Sequence, residues 1–276
     1  MATLTVPPVT TNTRGFRRPN PPTFTDDAIK ARYQKGSLAL AARIMDMNGW
    51  GVGCSIGLSA RDAVNPNVVW VLPRGKPLVT IVSQDLIGVD LATGDIVDAG
   101  ASGKKDYDAL YVAVHLAIYN GRPDVNGIVS GHTPYGRVFS TRGEPPKILW
   151  QDSCTFYKKV NVLPFNVGLE AAKNPQAVVD ALKDGKGLVM QNRGLLTCQG
   201  TIEGALAIYL RLENLTGGQT IVEAAVKGRG GELTYVGDEE AQFTQRAVGS
   251  EHHAWAMGLP SYWRITKRLG LDSYTI

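Results

Sequence analysis

Two short segments carry the side chains best suited to chemistry. Gly127 to Ser130 is a small apolar run that reads as a strand leading into His132. An imidazole at such a junction can take or give a proton near neutral pH, or it can be a hydrogen-bonded structural histidine. Gln191-Asn192-Arg193-Gly194 leaves the end of a second apolar run, Gly187 to Met190. A fixed guanidinium there can bind a carboxylate or carbonyl oxygen and stabilise negative charge as it develops. The alternative is an arginine paired with a nearby acid, because a buried unpaired cation is costly. Tyr111 lies one helical turn before His115 in a segment apolar on most faces. Tyr111 is thus a candidate hydrogen-bond donor to a pocket, and His115 a structural residue.

The surrounding elements follow from caps and periodicity. Thr25 can cap a helix with Asp26 and Asp27 in its first turn, running through Leu38, Ala41 and Met45 to Asn48-Gly49, with Gly36 a possible break. Gly51, Gly53 and Gly57 then crowd a loop ahead of Ser59-Ala60-Arg61-Asp62. Val68 to Leu72 reads as a strand. Leu86 to Leu91 and Asp95 to Val97 read as a hairpin over Ala92-Thr93-Gly94. Helices are expected over Asp106 to Asn120, over Gln176 to Leu182 behind Asn174-Pro175, and from Thr201 to about Val226, closing at Gly228. Beyond Arg229 the pattern is irregular, with a strand at Leu233 to Val236 and an aromatic end holding Trp255, Tyr262, Trp263 and Tyr274. Strands interleaved with helices, without a repeat or mid-chain linker, give one layered α/β domain with a mostly antiparallel or mixed sheet.

Composition narrows the function. The 276 residues have a 43% hydrophobic and a 20% charged fraction, ordinary for a globular protein, and a net charge of +4 without a dense basic cluster. Nucleic acid is therefore not an expected partner. Cys54, Cys154 and Cys198 are odd in number, far apart and without a CxxC pair, so neither a disulfide framework nor a structural zinc site is expected. They read as packing residues. No apolar run reaches the ~20 residues of a spanning helix. Residues 1–24 are Thr/Pro-rich and lack a secretory apolar stretch, so they read as a flexible arm before a domain at 25–276, and a cytoplasmic location is expected.

Five ordered segments resemble the class II aldolase/adducin family over roughly residues 30 to 250. They are the Gly-rich loop ending in Ser59-Ala60-Arg61-Asp62; Pro73-Arg74-Gly75 with Ser83-Gln84-Asp85-Leu86; His115 to Tyr119 with Arg122-Pro123-Asp124-Val125; Ser130-Gly131-His132-Thr133-Pro134-Tyr135-Gly136; and Gln191 to Leu196. Gly228-Arg229-Gly230-Gly231, Gly237 to Glu240, Trp255 and Leu259-Pro260 resemble the C-terminal region of a fungal branch. The resemblance implies a three-layer α/β/α sandwich around a mainly antiparallel central sheet, and a ring-shaped homotetramer with active sites between subunits. It also makes Ser59, Arg61, Arg74, Gln151 and Tyr262 candidate substrate-binding residues. Ser59, Arg61 and Arg74 would grip an anionic or polar group, or simply serve tight turns. Tyr262 would cover a neighbour's pocket, or pack on the surface.

The departures from the family pattern bear on mechanism. Family enzymes hold a divalent metal with three histidines, and the matching positions here are Ser130, His132 and Arg193. One imidazole falls short of the three protein ligands of a catalytic zinc, and the guanidinium would repel a dication. Tyr111 occupies the place of the acid/base glutamate of sugar-phosphate aldolases. His252-His253 could add at most one ligand if extended, and surface or interface roles suit them better. The candidate catalytic set is His132, Arg193, Tyr111 and Ser130, with no metal and no cofactor. The expected function is a metal-independent lyase, isomerase or cyclase step on a small organic molecule in a biosynthetic, secondary-metabolite pathway. A non-catalytic adducin-like scaffold and a metal-dependent lyase with an unusual ligand set are the alternatives.

Overall fold

The computed structural model describes residues 19–53, 55–101, 103 and 106–271. Most of the expected arm, Cys54 and Tyr274 lie outside the described residues. Eight strands form one sheet: β1 (Ile56–Arg61), β2 (Val68–Val71), β3 (Ile87–Asp90), β4 (Ile96–Asp98), β5 (Gly127–Gly131), β6 (Val160–Leu163), β7 (Gly187–Met190) and β8 (Gly194–Gln199). Their order is β4-β3-β2-β1-β5-β8-β7-β6, and every neighbouring pair is antiparallel except β6 with β7.

Alternation along the strands sends side chains to two cores. Trp70, Val129, Val189 and Leu195 face one side, where they meet α1 (Asp27–Met47), α6 (Ile202–Lys227) and α8 (Glu251–Arg268). Val69, Val71, Ile128, Leu188 and Leu196 face the other, against α2 (Ala109–Gly121) and α5 (Pro175–Leu182). Helix, sheet and helix make the expected α/β/α sandwich. Two shorter helices, α3 (Pro134–Ser140) and α4 (Phe165–Leu169), leave strand ends, and α7 (Asp238–Val248) precedes α8.

Local chemistry sets the helix ends. Asp26, not Thr25, caps α1 by accepting from the Ala28 and Ile29 amides, and Gly36 is buried inside the unbroken helix. Asp108 caps α2, Asn174 caps α5 ahead of its Pro175, and Thr201 caps α6. The irregular reading of residues beyond 229 is overturned. Residues 233–236 form no strand, and the chain builds two helices instead. Three acids in the first turn of α7 and the Ser250 cap of α8 are the causes, since both satisfy helix N-termini.

Candidate functional site

The site lies where β5 and β8 run side by side at their ends, Gly131 opposite Leu195. The two backbones approach so closely that a Cβ on Gly194 would stand 2.1 Å from the Gly131 carbonyl oxygen. Only glycine fits. Ahead of it, Asn192 takes a left-handed conformation (φ 56°) in the tight turn closed by the Arg193 amide on the Met190 carbonyl at 2.9 Å. That turn fixes where Arg193 leaves the sheet.

His132 follows β5, with its backbone amide held by the Ser55 carbonyl at 2.9 Å. The same carbonyl accepts the Tyr111 hydroxyl at 2.8 Å. The Tyr111 ring stands beside both key groups: its centroid is 5.0 Å from the Arg193 guanidinium carbon and 5.6 Å from the His132 ring. No carboxylate among the described residues forms an ion pair with Arg193, so the acid-paired alternative has no partner there. Its Nη1 and the Nε2 of His132 are shielded from water without a hydrogen-bond partner. Buried polar atoms are nearly always satisfied. Two orphans on neighbouring side chains therefore point to a ligand. Burial, then the charges of Arg193 and Arg137, lower the His132 pKa and keep the imidazole neutral, able to accept a proton.

His132 lines a cavity of about 710 Å³ shared with Trp50, Val52, Ser55, Arg137 and Asn192, among others. Trp50, Arg137 and Asn192 escaped the sequence reading. The sequence reading named no helix here; α3, with Pro134 at its start, carries Arg137 in its last turn beside the cavity.

The remaining candidates are placed elsewhere. Ser130 and Ser59 are fully buried and engaged with His115: its Nδ1 lies 2.8 Å from Ser59 Oγ and its Nε2 2.8 Å from Ser130 Oγ. Ser130 also donates to the Gly57 carbonyl, and Tyr119 joins Ser59 at 3.0 Å. Burial, with Arg193 adding to it, pushes the His115 pKa down to about 3, so it is a neutral structural residue. Arg61 lies at the opposite end of β1, donating to the carbonyls of Val125, Pro66 and Tyr119. Arg74 and Gln151 are exposed and do not line the cavity. Tyr262 is buried within its own chain, with its hydroxyl donating to the Ser37 carbonyl at 3.1 Å, so it covers no neighbour's pocket. Tyr111 spends its hydroxyl on Ser55, and burial raises its pKa, so it braces the site rather than offering a free proton. Neither His252 nor His253 is on an extended segment. They sit in α8, His252 2.6 Å from the Pro19 carbonyl and His253 beside Arg211 at 3.5 Å. Cys154 and Cys198 are buried packing residues.

The residues do not fit the family's metal. Ser130 Oγ is committed to His115 and Gly57, Arg193 carries a fixed positive charge, and His132 alone supplies a suitable donor. Among the described residues no group of three His, Cys, Asp or Glu could hold an ion.

A sheet of this order with helices on both faces, and a site at the ends of β5 and β8, define a class II aldolase-type protein. The sequence model "Class II Aldolase and Adducin N-terminal domain" matches residues 36–219, and the chain belongs to that family. It is 29% identical over 242 residues to a Streptomyces niveus protein named decarboxylase NovR, covering 87% of this chain and 86% of that one. It is also 29% identical over 238 residues to the 4-hydroxy-3-prenylphenylpyruvate oxygenase/4-hydroxy-3-prenylbenzoate synthase of Streptomyces roseochromogenus, covering 86% and 83%. Among solved structures, the L-fuculose 1-phosphate aldolase from Glaciozyma antarctica is 30% identical with a TM-score of 0.82, covering 93% of this chain and 97% of that one. Among the described residues no helix is long and apolar enough to cross a membrane.

Proposed function

We propose that this chain is an enzyme of small-molecule biosynthesis that makes or breaks a carbon–carbon bond, or shifts a proton, without a catalytic metal. Relatives named as a decarboxylase and as an oxygenase/synthase of aromatic acids, each matched over most of both chains, support a lyase-type step in secondary metabolism. The observation that carries the reading is the pair of orphaned nitrogens, His132 Nε2 and Arg193 Nη1, on side chains that flank one aromatic ring. In this reading neutral His132 takes a proton from the substrate and returns it. Arg193 meets the oxyanion that develops, supplying electrostatically what a Lewis acid supplies in metal-bearing relatives. Tyr111 and Ser55 hold the geometry.

An adducin-like scaffold role predicts a filled cavity with satisfied polar groups, and the open cavity favours the enzyme. A metal site with unusual ligands finds no support in the donor set, since His252 and His253 are occupied on α8. The homotetramer belongs to this proposal as well: Val52 and Val138 expose 79% and 55% of their surface at the cavity, where a second copy would cover them. Light scattering that returns a single-chain mass at every concentration refutes that part. The enzyme reading is tested by comparing metabolites in cells with the gene, without it, and with the His132→Ala or Arg193→Ala form. The expected result is a substrate that accumulates equally in the last three. Normal product from folded His132→Ala and Arg193→Ala forms removes the proposal.

A further inference from the structure

We infer that the cavity binds an organic acid, with Arg137 as the anchor of its carboxylate and the specificity-determining residue of the site. The inference rests on the reading of the cavity as a substrate site, but it names a feature of the ligand that the reading leaves open.

The charge inventory of the cavity is one-sided. Arg137 is the one charged group among the residues that line it. It forms no ion pair among the described residues, although exposed acids are common on this surface. Arg193 adds to the positive field, since both guanidiniums act on His132. An anion in the cavity therefore meets the Arg137 charge and no acid among the lining residues, with Arg193 behind His132 outweighing the opposing field of Asp108 there. A neutral ligand would leave Arg137 without a counter-charge, and a cation would be repelled.

Shape and polarity choose among anions. Trp50, Val52, Pro134 and Val138 give the cavity an apolar wall, which suits a carbon skeleton of some size rather than a bare inorganic ion. A guanidinium fork matches a carboxylate with two parallel hydrogen bonds. Arg137 stands in the last turn of the short helix α3, five residues beyond His132, at the exposed side of the cavity. A carboxylate held there leaves the rest of the molecule to reach inward, toward the orphaned His132 Nε2. Arg137 thus recognises the acid, and His132 works on the part of the molecule away from it.

The test is direct binding, which needs no turnover. Calorimetry on the full chain uses four probes: benzoate, phenylpyruvate, benzamide and inorganic phosphate. Both carboxylates are expected to bind at least ~10-fold more tightly than benzamide, as one charge-assisted pair warrants, and to weaken as salt rises. Arg137→Gln, at an exposed position that does not strain the fold, should erase that preference. Arg74→Gln, at an exposed arginine away from the cavity, should retain it. Equal binding of benzoate and benzamide overturns the inference, as does a preference that survives Arg137→Gln. Phosphate binding while both carboxylates fail overturns it in favour of a phosphate ester. The failure is distinct from that of the catalytic reading. Cells carrying Arg193→Ala could still lose the product while no carboxylate binds, in which case the enzyme stands and the acid does not.

Discussion

Replacing Arg193 by methionine separates a site held open for a ligand from a structural arginine. Methionine keeps the aliphatic stem and removes the charge. In the free protein the head contributes one contact, the Tyr111 ring at 5.0 Å, worth ~0.5–2 kcal/mol for a cation over an aromatic face. Against it stands the buried Nη1 without a partner, which costs ~1–3 kcal/mol relative to a satisfied group. The balance runs from ~1 kcal/mol less stable to ~2.5 kcal/mol more stable for Arg193→Met, well short of the ~3–5 kcal/mol that losing one partner of a buried ion pair costs. Function should move the other way, falling ~100- to 1000-fold as for the loss of one preorganised donor. Arg193→Lys should recover little, since a point charge does not reproduce the planar fork. Urea denaturation at pH 7 measures the first quantity, and restoration of the missing metabolite in gene-deleted cells the second. A variant that loses 2 kcal/mol or more yet restores the metabolite refutes the reasoning, because Arg193 would then serve the fold.

Four further outcomes are expected. His115 is neutral in the fold down to about pH 3, while its unfolded form protonates below ~6.5, so the fold loses up to ~1.4 kcal/mol per pH unit between these limits. His115→Asn should cost stability at pH 7 and flatten that acid slope, read from melts at several pH values; an unchanged slope would contradict its burial as a neutral group. The rate, with His132 as base, should fall only below a midpoint lying under ~6.5, and Arg137→Gln should move that midpoint upward, because it removes a positive neighbour. Gly194→Ala should destabilise by ~1–3 kcal/mol or prevent folding, as its Cβ meets the Gly131 carbonyl at 2.1 Å; a normal melting temperature would contradict the close approach. Elemental analysis of purified protein should find no stoichiometric zinc, iron or manganese, and about one tightly held ion per chain would restore a metal mechanism.

Much of the frame was legible because local signals and tertiary structure agree. Asn174-Pro175 opens a helix, Thr201 caps the longest one, and the apolar runs at Val68 to Leu72, Gly127 to Ser130 and Gly187 to Met190 became strands. The tail was misread for an identifiable reason. Pro260 inside α8 looks like a breaker, but the helix carries it, with Trp255, Leu259 and Tyr262 buried on one face. The site was legible only in part. His132 and Arg193 sit at strand ends, where sequence neighbours are also spatial neighbours. Arg61 read as a candidate substrate-binding residue, yet β1 runs antiparallel to β5 and carries it to the opposite end of the strands, where it holds three carbonyls. Strand direction is a long-range property, and no motif states it. Arg137 was missed because an exposed arginine is ordinary until the cavity beside it is seen to contain no acid.

The two positions that depart from the family's histidines are treated differently by the fold, and the difference argues against simple decay. At Ser130 both hydrogen-bonding capacities are used: its Oγ lies 2.8 Å from His115 Nε2 and donates to the Gly57 carbonyl. That position has become structure. At Arg193 the reverse holds. A charged group stands in the same neighbourhood, against Tyr111, with a shielded Nη1 that nothing answers. Random loss of a metal site would relax both positions toward satisfied or solvent-exposed groups, since each unanswered donor costs stability in every folded molecule. One position relaxed and the other remained under tension, beside a histidine that is also unanswered. The unanswered pair, His132 Nε2 and Arg193 Nη1 on neighbouring side chains, is therefore the place to look for a ligand.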